Sequence, residues 1–359
     1  VDYTTRDRGK TVEITTRFMV IKYTKSQGPL GNGNLLITSP KRKGAKPFAW
    51  RPGQKDTLNL KGTYRTLDGY DGNMHGDQPM PIEDGLLSRS GWTFIDDSQN
   101  YLFDHSDWQW VSHRREEGKA QDWDGHDYRK ALRDFTVVSG KMALPPRYAF
   151  GYWWSRYWCY TDNELRQLVD DFDTYSIPLD VLVVDMDWHY TEKGKGAWTG
   201  YTWNRRLFPD PKGFLQWAGS KQLNVTINLH PADGIKPYEE QYPAMARWMG
   251  MNPDEKKDID WAASDKRFME GWYNTVLRPM ERDGVSFWWL DWQQGLNDKE
   301  FPRLGNTWWI NYTTFTDMER HRQERPMLYH RWGGLGNHRY QIGFSGDAVI
   351  SWKSLDFQP

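Results

Sequence analysis

The pattern of apolar and polar positions divides the chain in two. Over residues 1 to about 125, short apolar runs alternate with polar residues, as at 12–23, and Gly, Pro, Asn and Asp punctuate them at short intervals. A period of two marks a half-buried strand, so this part predicts an all-β domain, most economically a β-sandwich. Residues 93–98 and 100–104 repeat the strand-and-turn signal. Tyr128, Leu132 and Phe135 then fall on one face of a helix predicted over 127–139, which Gly140 ends. Pro145-Pro146 follows. The reading is an N-terminal β-sandwich domain over 1–140 and a second domain over 141–359.

After residue 146 the grammar becomes strand, loop, helix, repeated. An apolar run at 148–154 opens it. Thr161 and Glu164 form a capping-box signature, and Leu165, Leu168, Val169 and Phe172 trace one helical face. Runs at 181–184, 223–229, 285–290 and 327–330 are rich in β-formers, and each ends in polar residues; helical spacing at 215–220, 265–281 and 308–323 lies among them. Five or six βα units predict an α/β fold, a (β/α)8 TIM-type barrel, incomplete at its C-terminus by about two units. An open seam would expose an apolar interior and two unpaired edges, so the barrel is expected to continue past Pro359.

Charge and composition narrow the function. A formal net charge of −1 without a long basic stripe argues against nucleic acid as a partner; the densest basic cluster, 41–46, reads as a solvated loop. One cysteine, Cys159, excludes an internal disulfide framework and a multi-cysteine metal site, and leaves the compartment open. No stretch approaches the roughly 20 apolar residues of a membrane helix, and no targeting segment is visible at the start of the chain. The informative excess is aromatic, with 22 Trp, 19 Tyr and 15 Phe. Tryptophan joins a large apolar face to one donor, which suits the C–H face and hydroxyl rim of a sugar. Core packing accounts for about half of these residues.

The candidate chemistry collects where predicted strands end: Asp185, Asp187 and His189; His230; Asp291; His330 and Arg331; and Asp347. In the stretch 285–295 a β-rich apolar run meets a single acid, Asp291, and then amides and a glycine. A buried strand does not carry an unpaired carboxylate without penalty, so Asp291 belongs at the strand's carboxyl end, the rim where such folds place chemistry. Two well-spaced acids with an arginine suit glycoside cleavage, the arginine gripping a ring hydroxyl and biasing nearby pKa values. Trp289 and Trp261 are the choices for lining a sugar. His230 is a candidate substrate contact, and packing is the alternative role for it and for His330; Asp187 and His189 divide between structure and rim contacts. A metal on Asp185, Asp187 and His189 would need a bend, because a strand points alternate residues to opposite faces. The sequons at Asn224 and Asn311 fall on a predicted strand and helix and read as chance.

Four segments resemble glycoside hydrolase family 31, the retaining α-glucosidases, α-xylosidases and their relatives. Ala143-Leu-Pro-Pro-Arg-Tyr-Ala-Phe-Gly-Tyr152 is similar to the family's entry into its barrel, and Val184-Asp-Met-Asp-Trp188 to the strand end whose first acid reads a sugar hydroxyl. Trp289-Leu-Asp-Trp292 resembles the nucleophile motif, and 331–347 the acid/base segment. The resemblance implies Asp291 as nucleophile, Asp347 as general acid/base, and Asp185 and Arg331 as substrate-binding residues. It further implies an exo-acting hydrolase that works by double displacement on terminal α-linked sugars of an oligosaccharide or glycoconjugate. Its two carboxyls would lie about 5–5.5 Å apart, and neither metal nor organic cofactor would be needed. Trp292-Gln293-Gln294 stands where the family commonly has Met-Asn-Glu, and Arg331-Trp332 where it has Arg-Ser. Trp292 is therefore taken as a substrate-binding position, and the sugar stays open among α-glucoside, α-galactoside and α-N-acetylgalactosaminide. A transglycosylase using the same residues and an inactive carbohydrate-binding barrel are the alternatives; retention of both Asp291 and Asp347 argues against the second.

Overall fold

A computed structural model describes residues 2–25, 30–40, 48–62, 66–72, 83–97, 99–114, 129–192, 198–291, 297–331 and 335–358, with the backbone alone for 74–75, 78–79, 121–124 and 128. The chain forms two compact units. The first comprises Val1–Tyr64, Asp77–Asn100 and Arg114–Gly140. Its Thr-, Val- and Ile-rich runs build a five-stranded antiparallel meander: β1 (Tyr3–Asp7), β2 (Thr11–Thr16), β3 (Val20–Thr24), β4 (Leu35–Thr38) and β5 (Ala49–Trp50). Ile37 and Trp50 are buried. Trp50 stacks on Phe94 at 4.6 Å between ring centroids; Phe94 lies in a two-stranded ladder of Trp92–Ile95 with Gln121–Asp124. The helix Tyr128–Ser139 closes this unit, with the Lys130 ammonium 4.7 Å from the Phe18 ring centre.

The second unit holds Lys141–Pro359 together with Arg65–Gly76 and Tyr101–His113. Six strands lie side by side in chain order, all parallel: β6 (Trp153–Ser155), β7 (Val181–Val184), β8 (Asn224–Leu229), β9 (Phe287–Leu290), β10 (Leu328–His330) and β11 (Ile342–Gly343). Strands buried on both faces need apolar residues at every position, and the period of two sorts them. Leu182, Val184, Val225, Ile227, Leu229, Trp288, Leu290 and Leu328 join the larger core with the helices. Val181, Val183, Phe287 and Trp289 point the other way, into a smaller cluster with Trp153, Tyr329, Ile342 and Phe344.

Helices connect the strands. Asp162–Thr174 begins with the predicted capping box, the Thr161 hydroxyl accepting from the Glu164 N–H and the Glu164 carboxylate from the Thr161 N–H. The helix predicted over 265–281 starts on schedule, with Asp265 accepting from the Arg267 and Phe268 N–H groups. It is interrupted, however, by a π-helical stretch over Trp272–Leu277 before continuing as Arg278–Asp283. Pro279 has no N–H to give the preceding turn, and a local widening of the helix accommodates that. The strand expected over 148–154 is shorter: a 3-10 turn, Arg147–Phe150, follows Pro146, and pairing starts at Trp153. Among the described residues no helix is long and apolar enough to cross a membrane.

The segment 101–113 lies on the helix Asn306–His321: the Trp108 Nε1–H donates to Thr316 Oγ1 at 2.9 Å, and Trp110 meets Trp309 edge-on at 4.9 Å. Ile227, fully buried at the centre of the helix side of β8, gives the fold a direct test. Replacement by Ala is expected to lower unfolding free energy by about 2–5 kcal/mol, measured by urea denaturation; a loss near zero would contradict this packing.

Candidate active site

In a parallel sheet all carboxyl ends lie at one edge, and the inward-facing register continues past each strand onto the polar residues. Leu229 pairs with Leu290, and Leu290 with His330, so the next residues, His230, Asp291 and Arg331, stand side by side. Asp185 follows β7 and caps the short turn Met186–Trp188, its Oδ1 accepting from the Met186 N–H at 2.7 Å. Asn228, on the same face of β8 as His230, donates from Nδ2 to Asp291 Oδ2 at 2.9 Å. His230 Nε2 lies 3.4 Å from the same oxygen.

Arg331 is the hub. It has no solvent exposure, and its guanidinium reaches three carboxylates. Nε donates to Asp291 Oδ1, Nη1 to both oxygens of Asp68 at 2.7 Å, and Nη2 to Asp347 Oδ2 at 3.1 Å. The guanidinium carbon also lies 4.8 Å from the centre of the Phe344 ring, within cation–π range.

This arrangement spreads the acids over different protonation states. Burial pushes Asp291 up, but the His230 contact and the Arg331 charge outweigh it and hold the carboxyl at about 2. Asp185 is raised to about 6 by burial, against the Met186 N–H and reinforced by the charge of Asp291. Asp347 keeps 68% of its side-chain surface open. Its pKa is nonetheless raised, by partial burial and the charges of Asp291 and Asp68, against the pull of Arg331.

The other candidates are distributed as follows. Trp289 is buried beneath the carboxylates on the inner face of β9, against Tyr329 and Phe344. Trp261 packs edge-on against Phe268 and Trp272 in the helix-side core. Trp292, with Gln293 and Gln294, lies outside the described residues. Asp187 accepts from the Thr191 hydroxyl, the ring of His189 meets the Tyr190 carbonyl at 3.0 Å, and His330 meets the Arg331 carbonyl at 2.6 Å. Among the described residues no three His, Cys, Asp or Glu side chains gather as metal ligands.

Two members went unnoticed in the sequence. Asn228 was readable, since it sits two residues before His230 and so shares its face. Asp68 carried no comparable signal: it sits in Leu67-Asp-Gly-Tyr-Asp-Gly72, which has ordinary turn composition.

Residues 142–359 match the family model described as the glycosyl hydrolases family 31 TIM-barrel domain. The chain belongs to glycosyl hydrolases family 31. Its parallel sheet is thus that of a (β/α)8-type fold. An α-xylosidase from Saccharolobus solfataricus is 26% identical over 306 residues, covering 75% of this chain and 40% of its own length. Alpha-glucosidase 2 from Bacillus thermoamyloliquefaciens is 32% identical over 259 residues, covering 63% and 32%. The chain therefore spans well under half the length of either relative. In structure it is similar to a family 31 α-xylosidase from a soil metagenome complexed with xylose, at a TM-score of 0.65 and 14% identity, over 99% of this chain and 61% of that one. A Flavobacterium johnsoniae dextranase complexed with glucose gives a TM-score of 0.66 and 17% identity, over 96% and 49%.

The raised pKa of Asp185 carries a stability prediction. Its unfolded value is near 3.8 and its folded value about 6, so the unfolded chain ionises first, and native stability falls as pH rises from below 3.8 to above 6. Asp185→Asn is expected to stabilise the protein by about 1–3 kcal/mol at pH 8 and to have little effect at pH 3.5. Urea denaturation at the two pH values checks this; equal effects at both would contradict it.

Proposed function

We propose that the protein containing this chain is a retaining exo-α-glycosidase acting on terminal α-linked sugars, with Asp291 as nucleophile and Asp347 as general acid/base. One observation carries the reading. A single buried guanidinium contacts two carboxylates whose pKa values move in opposite directions: Asp291 is held at about 2, while Asp347, against the pull of the same arginine, is raised by partial burial and the charges of Asp291 and Asp68. Two acids with separated pKa values are what double displacement requires. The names of the relatives, α-xylosidase and α-glucosidase, support the same reaction class. On this reading the six parallel strands within 141–359 are the first five to six units of a (β/α)8 barrel, and the antiparallel meander is one layer of a β-sandwich over 1–140.

In the first step the Asp291 carboxylate attacks C1 of the sugar while Asp347 gives its proton to the departing oxygen, forming a β-linked glycosyl-enzyme. In the second, Asp347 takes a proton from a water that attacks C1 from the opposite face, releasing Asp291 and restoring the α configuration. Protein carboxylates and water suffice for both steps. Asp185, His230 and Asn228 surround the position of the ring hydroxyls, and above pH 6 Asp185 is an acceptor. Trp289 supplies apolar surface beneath the site, and Trp292 follows the nucleophile directly in the chain. The substrate is an α-glucoside, α-galactoside or α-N-acetylgalactosaminide.

A panel of aryl α-glycosides of glucose, galactose, N-acetylgalactosamine and xylose tests the proposal. At least one is expected to be hydrolysed with the α-anomer released first, as followed by proton NMR, and Asp291→Ala is expected to lose about 10³-fold or more in kcat. Undiminished turnover in that variant, or β-anomer as first product, would sink the assignment.

A further inference from the structure

We propose that Asp68 is a positioning residue for the acid/base carboxylate Asp347, acting through the backbone of residue 347 and through Arg331; the inference rests on the functional reading above. Asp68 lies more than 270 residues before Asp347, yet its Oδ1 accepts the Asp347 N–H at 2.6 Å. The connection is a built strap rather than one bond. The Leu67 N–H donates to the Ser345 carbonyl at 2.7 Å, the Gly69 N–H to the Asp347 carbonyl at 2.8 Å, and the Val349 N–H to the Tyr70 carbonyl at 2.8 Å. The Ser354 hydroxyl adds a bond to the Tyr70 carbonyl at 3.2 Å. Residues 67–70 thus run along 345–349 and hold the backbone on both sides of the acid/base.

The close approach is specific to a glycine. Gly346 has φ +100, and a Cβ there would lie 2.4 Å from Asp68 Oδ1, 2.8 Å from Thr66 Oγ1 and 3.0 Å from Arg331 Nη1. Both oxygens of Asp68 are already engaged by Arg331, and one also by the Asp347 N–H. Asp68 is therefore placed to orient the reacting group rather than to meet substrate. Its charge acts in the same direction. Arg331, Asp291, Asp68 and Tyr329 are the charged and titratable groups around Asp347. Of these Arg331 favours the ionised form, while Asp68 occupies one guanidinium nitrogen and repels a second negative charge.

A leaving-group comparison separates positioning of the acid from general damage. Kinetics of wild type, Asp68→Asn, Asp68→Ala and Asp347→Ala are measured in the full-length protein on two α-glycosides of the accepted sugar. A phenyl glycoside needs protonation of its departing oxygen; a 2,4-dinitrophenyl glycoside does not. Both Asp68 variants are expected to lose about 10–100-fold in kcat/KM on the phenyl glycoside, with a loss at least about tenfold smaller on the dinitrophenyl one. Asp347→Ala should show the same selectivity more strongly. In Asp68→Asn the basic limb of the pH profile is expected to move to lower pH, as Asp347 loses a repelling neighbour; far-UV circular dichroism confirms that each variant is folded. Equal losses on both glycosides, or an unmoved basic limb, would overturn the inference alone, provided wild type turns over and Asp291→Ala does not. A wild type inert on every glycoside would overturn the functional reading and this inference with it.

Discussion

A buried cation sets the terms for this site. Arg331 has no contact with solvent, and an arginine does not shed its proton to escape burial. Its charge must therefore be matched inside the protein, and desolvation of even a paired ion costs several kcal/mol. Asp291, Asp68 and Asp347 supply the match from three separate parts of the chain. Removing one partner of such a buried pair typically costs about 3–5 kcal/mol, because the charge left behind is uncompensated. The same contacts that satisfy the cation fix the distances among the carboxylates, so folding and arrangement of the site are one problem.

Strand register solves that problem. Because β8, β9 and β10 pair residue for residue, the first inward positions beyond their ends bring His230, Asp291 and Arg331 together without any long loop to order. One residue deeper on each strand the side chains turn to the helices: Leu229 and Leu290 join the larger core, and His330 is buried beside Asn311. The short spacing between polar edge and apolar core explains the electrostatics. Asp291 is almost fully buried but surrounded by donors, and it stays ionised. Asp185 is half-buried with a single backbone donor and an ionised neighbour, and it is driven up to about 6. The deeper of these two acids is the one with the lowered pKa, so their partners, not their depth, decide the difference.

What could be read from the sequence follows from the range of each interaction. Strand-end acids were legible because an apolar run that stops at a carboxylate is a local pattern, and Asp185 and Asp291 both show it. The Thr161 capping box spans three residues and was equally readable. Pro279 was visible, but whether a proline bends, widens or ends its helix depends on the packing around it. Trp261 illustrates a different limit: an aromatic side chain announces large apolar area, not the face on which it is spent, and this one packs with Phe268 and Trp272. Asp68 marks the far end. Its bonds to Arg331 span 263 residues, and a Leu-Asp-Gly-Tyr turn carries no trace of a partner that distant. The boundary drawn at residue 140 encounters the same difficulty, since 65–76 and 101–113 join the unit of the parallel sheet.

The polar atoms left over within the sheet edge bear on how such a site discriminates. Among the described residues Asn228 Oδ1 and His230 Nδ1 are buried without a hydrogen-bond partner, although the opposite atom of each side chain is committed to Asp291. The commitment fixes both orientations, so these atoms cannot rotate away to find other bonds. An unpaired buried polar atom costs about 1–3 kcal/mol. A ligand hydroxyl that meets one recovers that energy, and a sugar whose stereochemistry points the hydroxyl elsewhere does not. Polar pairing of this kind separates ligands far more sharply than apolar fit. On the proposed function, discrimination among epimeric sugars depends on the side chains that hold Asp291, so a substitution at Asn228 or His230 is expected to change charge placement and sugar recognition together.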